Sequence, residues 1–288
     1  MIISNKILQE QVERVEQGLA KVQHLMADPE LMSWFADDFA LRFCWSSNAI
    51  EGNTLSLDET VALVEYDEVR AGHTYTEYQE AKNLYHAICT SMIPFQHVWI
   101  TEDWIKRNNR LIRGGAGGYR TENVRIGNLF ETSYTPPDFT RVLWLMQNFQ
   151  DTVNFSKGPL LETFKEISVQ HITFERIHPF KDGNGRCGRM ILNQQLINHG
   201  LLPVAITKNS AYMQAFRQYG RNGDYSKMLH ELLKAEEEAI ERLIAFEKKR
   251  EQGLSWDPKM TLEEQIKAAG KLQADIPAPA AQRDLQER

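Results

Sequence analysis

Leu8, Val12, Val15, Leu19, Val22 and Leu25 recur at steps of three and four residues, the spacing that lines one face of a helix. The same rhythm returns along most of the chain, and the signals between its repeats are helix starts. Ser56 with Glu59 and Thr74 with Glu77 each form a box in which hydroxyl and carboxylate satisfy two free N–H groups at a helix start. Thr101 caps "EDWIKRNNRLIR", which runs into the glycine-rich "GGAGG". "PELMSWFADDFALRFCW" makes a further helix leading into "SSNAIEGN", and Pro136-Pro137 is read as the opening turn of a helix over "DFTRVLWLMQNFQDTV". Residues 159–176, 187–199 and 224–250 complete the helical set. One stretch departs from it: in "TENVRIGNLFETSYT", residues 121–135, Val124 and Ile126 alternate with polar neighbours and Gly127-Asn128 offers a turn, so a short β-hairpin is expected. The fold class is therefore mostly α, a helical bundle with one short hairpin.

The 288 residues, 42% of them hydrophobic, suffice for one large domain or two small ones. The first helix's single apolar stripe is expected to pack on that core. No apolar run approaches the roughly 18 residues of a membrane helix, and "MIISNKILQEQVERVEQ" turns charged too early for a secretory leader, so a cytoplasmic protein without a membrane partner is expected. Cys44, Cys89 and Cys187 are odd in number and far apart, which suits reduced thiols. A net charge of −6 excludes a global basic field, and with it nucleic acid as an expected partner. Any positive site must be local.

Such a site is written into "RIHPFKDGNGRCGRMILNQQL", residues 176–196. Gly183-Asn184-Gly185 can curl successive N–H groups into an anion-binding nest, and a helix starting there adds the positive end of its dipole. Arg186 and Arg189 are three apart, so both can face one anion from the first turn; two guanidiniums and a nest imply several phosphates. Asp182 beside phosphates points to Mg²⁺. His178 titrates near neutrality and is the natural general base. Phe180 is expected to point inward as an anchor. His171 is read as a structural histidine and Cys187 is discounted as a nucleophile. "RGGAGGYR" at 113–120 lacks a Walker lysine and is read as a flexible helix end. Asp28, Asp37 and Asp38 are taken as solvated helix positions.

The run resembles the signature of the Fic family, HxFx[D/E]GNGRxxR, at every specified position: His178, Phe180, Asp182, Gly183, Asn184, Gly185, Arg186 and Arg189. The likeness spans roughly residues 40–235, with "YRTENVRIG" similar to the family's flap, here Val124, Ile126 and Gly127, and "NGDYSKML" similar to its closing helix. The resemblance implies a Fic-like helical domain with a β-hairpin flap that transfers AMP from ATP to a Ser, Thr or Tyr hydroxyl of a target protein. It implies His178 as base, Asp182 as Mg²⁺ ligand, Gly183, Asn184 and Gly185 as phosphate nest, and Arg186 and Arg189 on the outer phosphates. Tyr212 is assigned to the adenine pocket without a motif to support it.

"SSNAIEGN" resembles the same family's inhibitory motif, [S/T]xxxE[G/N], through Ser47, Glu51 and Gly52. By spacing alone it is a helix end with a glycine cap. The resemblance implies that Glu51 pairs with Arg189 where the γ-phosphate belongs and so holds the enzyme off. Two arginines facing an empty phosphate site call for such a carboxylate on their own account. The expected organisation is N-terminal helices with the inhibitory motif at 47–52 in residues 1–100, a catalytic core at 101–235, a helical extension at 236–273 and a disordered tail at 274–288. Two other activities stay open, AMP removal by a reversing or bifunctional enzyme and a non-catalytic nucleotide-responsive binding module, as does a homodimer.

Overall fold

In the computed structural model, which describes residues 3–256 apart from 116, 128–131, 155–157 and 208–209, the longest helices bracket the chain. Helix α1 (Asn5–Met26) opens at Ser4, whose hydroxyl accepts from the Ile7 amide, and lies on α10 (Ser226–Glu251). The predicted stripe is the contact: Leu8, Val12, Val15, Val22 and Leu25 are buried, with Gln11 added and Leu19 only half-buried at its flank. Gln11 is buried because its Oε1 meets His230 Nδ1 at 2.6 Å, and Arg14–Glu237 at 2.9 Å closes the same seam. Gly18 lets the helices approach, since a Cβ there would come within 3.0 Å of Ile240.

Helix α2 (Pro29–Ile50) runs through the middle of the fold. Its buried Phe39 stacks on Phe43, and Phe35 and Phe39 each meet Phe95 edge-on, contacts of the kind worth about 0.5–1.5 kcal/mol beyond burial itself. Of the three aspartates read as solvated, only Asp37 is exposed. Asp28 caps α2 through the amides of Glu30 and Leu31 and pairs with Arg250. Asp38, 2% exposed, sits between Arg42 at 2.9 Å and Arg242 at 3.2 Å. Helix periodicity could not anticipate a carboxylate shared by α2 and α10.

Helices α3 (Leu57–Tyr66) and α4 (Tyr75–Ser91) begin at the two expected capping boxes, both formed in full. Helix α5 (Glu102–Arg113) starts at Thr101 and stops at Gly114, whose φ of 64° is the left-handed conformation a helix end favours. Strands β1 (Ile126–Gly127) and β2 (Thr132–Tyr134) pair antiparallel, Ile126 opposite Tyr134. The turn expected between them lies outside the described residues. The helix predicted at Pro136-Pro137 begins later: Asp138 accepts from the Thr140 amide, a 3₁₀ turn covers Phe139–Arg141, and α6 (Val142–Val153) follows. The aspartate cap, and not proline in the first turn, starts the segment.

Helices α7 (Leu160–Ile177), α8 (Asn184–Asn198) and α9 (Ser210–Asn222) complete the bundle. Residues up to Leu254 form one compact unit, and the boundary expected at 235/236 falls inside α10, whose buried face continues from Met228 through Leu232 and Ile240 to Phe246. Burial on one continuous helix face overrides that division. The tail expected at 274–288 lies outside the described residues. No helix among the described residues is long and apolar enough to cross a membrane.

The contrast between the adjacent aspartates is testable by urea unfolding. Asp38→Ala should cost about 2–3 kcal/mol, because it strands two partly desolvated guanidiniums, whereas Asp37→Ala should change stability by less than about 0.5 kcal/mol.

Candidate active site

The loop between α7 and α8 is shaped by four held backbone positions. Helix α7 stops at His178, which takes the left-handed conformation (φ 49°, ψ 60°) while its amide still bonds the Phe174 carbonyl. A non-glycine residue adopts that conformation only where its surroundings compel it. Here Arg120 does so: its Nε donates to the His178 carbonyl at 2.9 Å, its amide to the Pro179 carbonyl at 2.8 Å, and its other nitrogens to the carbonyls of Glu122 and Pro137. Phe180 is 1% exposed and packs against Tyr119 and Phe174, as expected of an anchor. Asn109 donates to the Asp182 carbonyl at 2.9 Å.

The Asn184 side chain has a part of its own beside the main-chain nest expected here. Its side chain is buried and brackets the Phe180 backbone, accepting from the amide at 2.8 Å and donating to the carbonyl at 2.9 Å. It therefore staples the loop, and only main-chain groups of the Gly183–Gly185 stretch are left to face an anion. Gly183 is left-handed (φ 78°) and α8 starts without a side-chain cap, so the positive end of its dipole is open to a charged partner.

That partner is Glu51. Helix α2 ends at Ile50, Glu51 follows as its cap, and Gly52 turns the chain away at φ 103°. The Glu51 carboxylate lies against the first turn of α8, so close that a Cβ on Gly185 would stand 2.2 Å from its Oε1. It pairs with Arg189 Nη2 at 2.7 Å, while the Ser47 hydroxyl and carbonyl accept from the same guanidinium at 2.8 and 3.0 Å. Arg189 is 2% exposed. Burial alone would depress its pKa, but the Glu51 carboxylate, together with Tyr212 and Glu175, more than offsets this and holds it above the ordinary arginine value. Ser47, Glu51, Gly52, Gly185 and Arg189, far apart in sequence, thus form one cluster.

Arg186 does not share the partner of Arg189. It turns to α4, with Nη1 at 3.0 Å from Glu80 and 3.4 Å from Asn48 Oδ1. Asp182 stands at the rim with 52% of its side chain exposed, pairs with Arg113 at 2.6 Å, and lies 3.7 Å from Arg186. No set of three His, Cys, Asp or Glu side chains among the described residues could hold a metal. A cation at Asp182 would rest on that carboxylate and on substrate phosphates, the usual arrangement for Mg²⁺.

Tyr212, assigned to the adenine pocket, is 1% exposed and stacked on His171, with its hydroxyl 2.8 Å from His171 Nε2. It is a core aromatic behind Arg189, and its bulk is spent on packing. Burial, helped by Arg189, lowers His171 to about 3, which keeps it neutral as a structural histidine. The Cys187 thiol is buried and pushed up, inert as a nucleophile. Burial raises Glu175 to about 8, partly countered by Arg189, and its Oε1 presses on Gly188, where a Cβ would come within 2.2 Å. Arg120, Asn109, Arg113, Glu80 and Glu175 were all missed from sequence. Arg113 and Arg120 alone left a trace, standing at the two ends of the glycine-rich run that reads as a flexible helix end.

Tyr134 of β2 donates to the Arg176 carbonyl at 3.2 Å and lies under the Arg176 guanidinium, fastening the strand pair to the last turn of α7. Val124 and Ile126 are half-buried beside it, and Gly127 pairs with Thr132.

Residues 99–196 match the model of the Fic/DOC family. Protein adenylyltransferase fic-1 of Caenorhabditis elegans is 27% identical over 262 residues, 88% of this chain and 51% of its own length. Protein adenylyltransferase Fic of Nematostella vectensis is 27% identical over 241 residues, 82% of this chain and 56% of its own. The chain thus spans about half the length of these curated relatives. A Fic-domain-containing signalling protein from Bacteroides thetaiotaomicron superposes with a TM-score of 0.69 at 22% identity, covering 85% of this chain and 98% of that one. A portion of Fic-1 from C. elegans gives 0.70 at 24%, covering 85% and 74%. The fold is shared with both.

His178 is depressed below 6.5, chiefly by burial and further by Arg120, against the upward pull of the Glu175 carbonyl and the carboxylates of Glu51 and Asp182. An NMR titration of its ring protons should therefore give a midpoint below 6.5. Glu51→Gln removes a charge that favours the imidazolium, so it should move the midpoint lower still; an upward move would contradict the assigned surroundings.

Proposed function

Because residues 99–196 match the model of the Fic/DOC family, we propose that the protein is an autoinhibited protein adenylyltransferase, moving AMP from ATP to a hydroxyl side chain of a target protein. One observation carries the reading. A histidine held in the left-handed conformation precedes an uncapped helix start, and the buried Arg189 of that helix is paired with the Glu51 carboxylate.

His178 accepts the proton of the target hydroxyl, whose oxygen attacks the α-phosphorus of ATP. The new O–P bond forms as the bond to the bridging oxygen of the β-phosphate breaks, and pyrophosphate leaves with that electron pair. The depressed pKa of His178 suits the task, because the ring is neutral and able to accept a proton at pH 7. Main-chain N–H groups at the start of α8, with Arg189, neutralise the phosphates in a preorganised setting. Asp182 would hold Mg²⁺, which supplies charge neutralisation on the phosphate oxygens. The target chain docks as an added strand along β1–β2, through main-chain hydrogen bonds that tolerate varied sequence. Fastening of that pair beside His178 by Tyr134 and Arg176 supports this placement.

With Glu51 on Arg189, ATP cannot place its γ-phosphate there, so basal activity is low. Glu51 is the element free to leave: its side chain is 37% exposed and Gly52 provides a pivot. Release of AMP from a modified target is the competing reading, in which Glu51 works on water; an assay of AMP release from the labelled product separates the two.

With labelled ATP and a lysate as target source, Glu51→Gly should raise protein labelling at least about tenfold, as loss of about 1.4 kcal/mol of competing interaction requires. Adding His178→Ala should abolish that labelling while ATP binding persists, since the ring moves a proton and does not hold phosphate. Asp182→Ala in the Glu51→Gly chain should shift the Mg²⁺ dependence of labelling to higher concentration; an unchanged curve removes Asp182 from the metal.

A further inference from the structure

Arg186 is as buried as Arg189, each 2% exposed, yet it answers to a different helix. Its Nη1 meets Glu80 on α4 at 3.0 Å and Asn48 on α2 at 3.4 Å, and its Nη2 is turned toward Asp182 at 3.7 Å. Each guanidinium at the start of α8 thus has a carboxylate of its own, and the two are mounted differently. Glu51 follows the last turn of its helix, next to a glycine at φ 103°. Glu80 lies inside α4, with backbone fixed and side chain 23% exposed. Its carbonyl accepts from Asn48 and its Oε2 from Asn53, both at 3.5 Å. Moving Glu80 off Arg186 would disturb the seam between α2 and α4, whereas moving Glu51 disturbs a helix end.

We infer that Glu80 is a positioning residue of the phosphate site: it stays on Arg186 when the nucleotide binds and fixes the free edge of that guanidinium toward the phosphates. This rests on reading the site as an ATP site. The planar arginine fork carries five N–H donors, so one edge can lie on a carboxylate while another meets phosphate. A side chain already oriented loses less freedom on binding. Glu80 also has a contrary effect, since its negative charge repels ATP. The buried guanidinium decides the balance: without its partner on α4 it keeps only the longer contacts to Asn48 at 3.4 Å and Asp182 at 3.7 Å, too weak to fix its orientation, so positioning outweighs repulsion.

The sign of the effect makes the test. In the full chain carrying Glu51→Gly, calorimetric titration with ATP and with adenosine should be compared for Glu80, Glu80→Gln and Glu80→Ala. Glu80→Ala should weaken ATP about tenfold, the loss expected when a charge-assisted contact is no longer aimed. Glu80→Gln, which keeps the shape and one acceptor, should weaken it less. Adenosine has no phosphate and should bind equally to all three. Tighter ATP binding by Glu80→Ala, or increased labelling when Glu80→Ala is made with Glu51 intact, would make Glu80 a second inhibitory carboxylate and overturn the inference. Equal losses for ATP and adenosine would reduce it to general packing and overturn it as well. If the Glu51→Gly chain binds ATP but labels no protein, the transferase reading fails while the ATP and adenosine comparison still decides the role of Glu80.

Discussion

A guanidinium buried to 2% exposure needs a counter-charge, and Arg189 has its ion pair with Glu51 at the end of α2. Desolvating an unpaired ion costs several kcal/mol, and breaking a buried pair about 3–5. The first turn of α8 adds its dipole to the same spot, and Ser47 supplies two more acceptors to the arginine. The pocket is therefore built for negative charge before any ligand arrives. An anion that replaces Glu51 must return the same neutralisation, which a polyphosphate does and a neutral molecule does not. In the proposed reading, inhibition and substrate binding are two solutions to one electrostatic requirement.

The rest of the site is scaffolding that keeps this requirement in place. Arg120, Asn109 and Asn184 hold the carbonyls of His178, Pro179, Phe180 and Asp182, so the loop has little freedom to relax when its ligand changes. The mobile parts are few by construction: Glu51 at its helix end beside Gly52, and the exposed carboxylate of Asp182. Rigid donors with one movable competitor suit chemistry that works through preorganised charge.

What the sequence made legible follows from how local each signal is. Apart from α9, which no cap or stripe announced, the helices were readable because their caps and stripes are short-range, down to the capping boxes at Ser56 and Thr74. The 176–189 loop was readable as one unit because its histidine, glycines and arginines are contiguous, and the Glu51–Arg189 pair because a charged partner was required and a motif supplied it. Contacts between distant segments were not readable. Arg186 looked like a twin of Arg189 on a helix face, but its partner Glu80 lies more than a hundred residues away, in a helix whose pattern shows only a cap and a stripe. The nest was read from main-chain N–H groups, and the second part of Asn184, its side chain bracketing the Phe180 backbone, left no signal. Tyr212 and Asp38 failed for the same reason: composition gives a residue's chemistry, and only packing gives its neighbours.

The central claim, that Glu51 and a phosphate of ATP compete for Arg189, is tested most directly by a double-mutant cycle on ATP affinity. The four proteins are the unaltered chain, Glu51→Gly, Arg189→Ala and the double variant, each titrated with ATP under the same Mg²⁺ and salt. Glu51→Gly should tighten ATP by about tenfold or more when Arg189 is present, and by almost nothing when Arg189 is alanine, a coupling of at least about 1.4 kcal/mol. An equal gain in both backgrounds would mean that Glu51 hinders ATP without Arg189, and the account of the site would be wrong at its base.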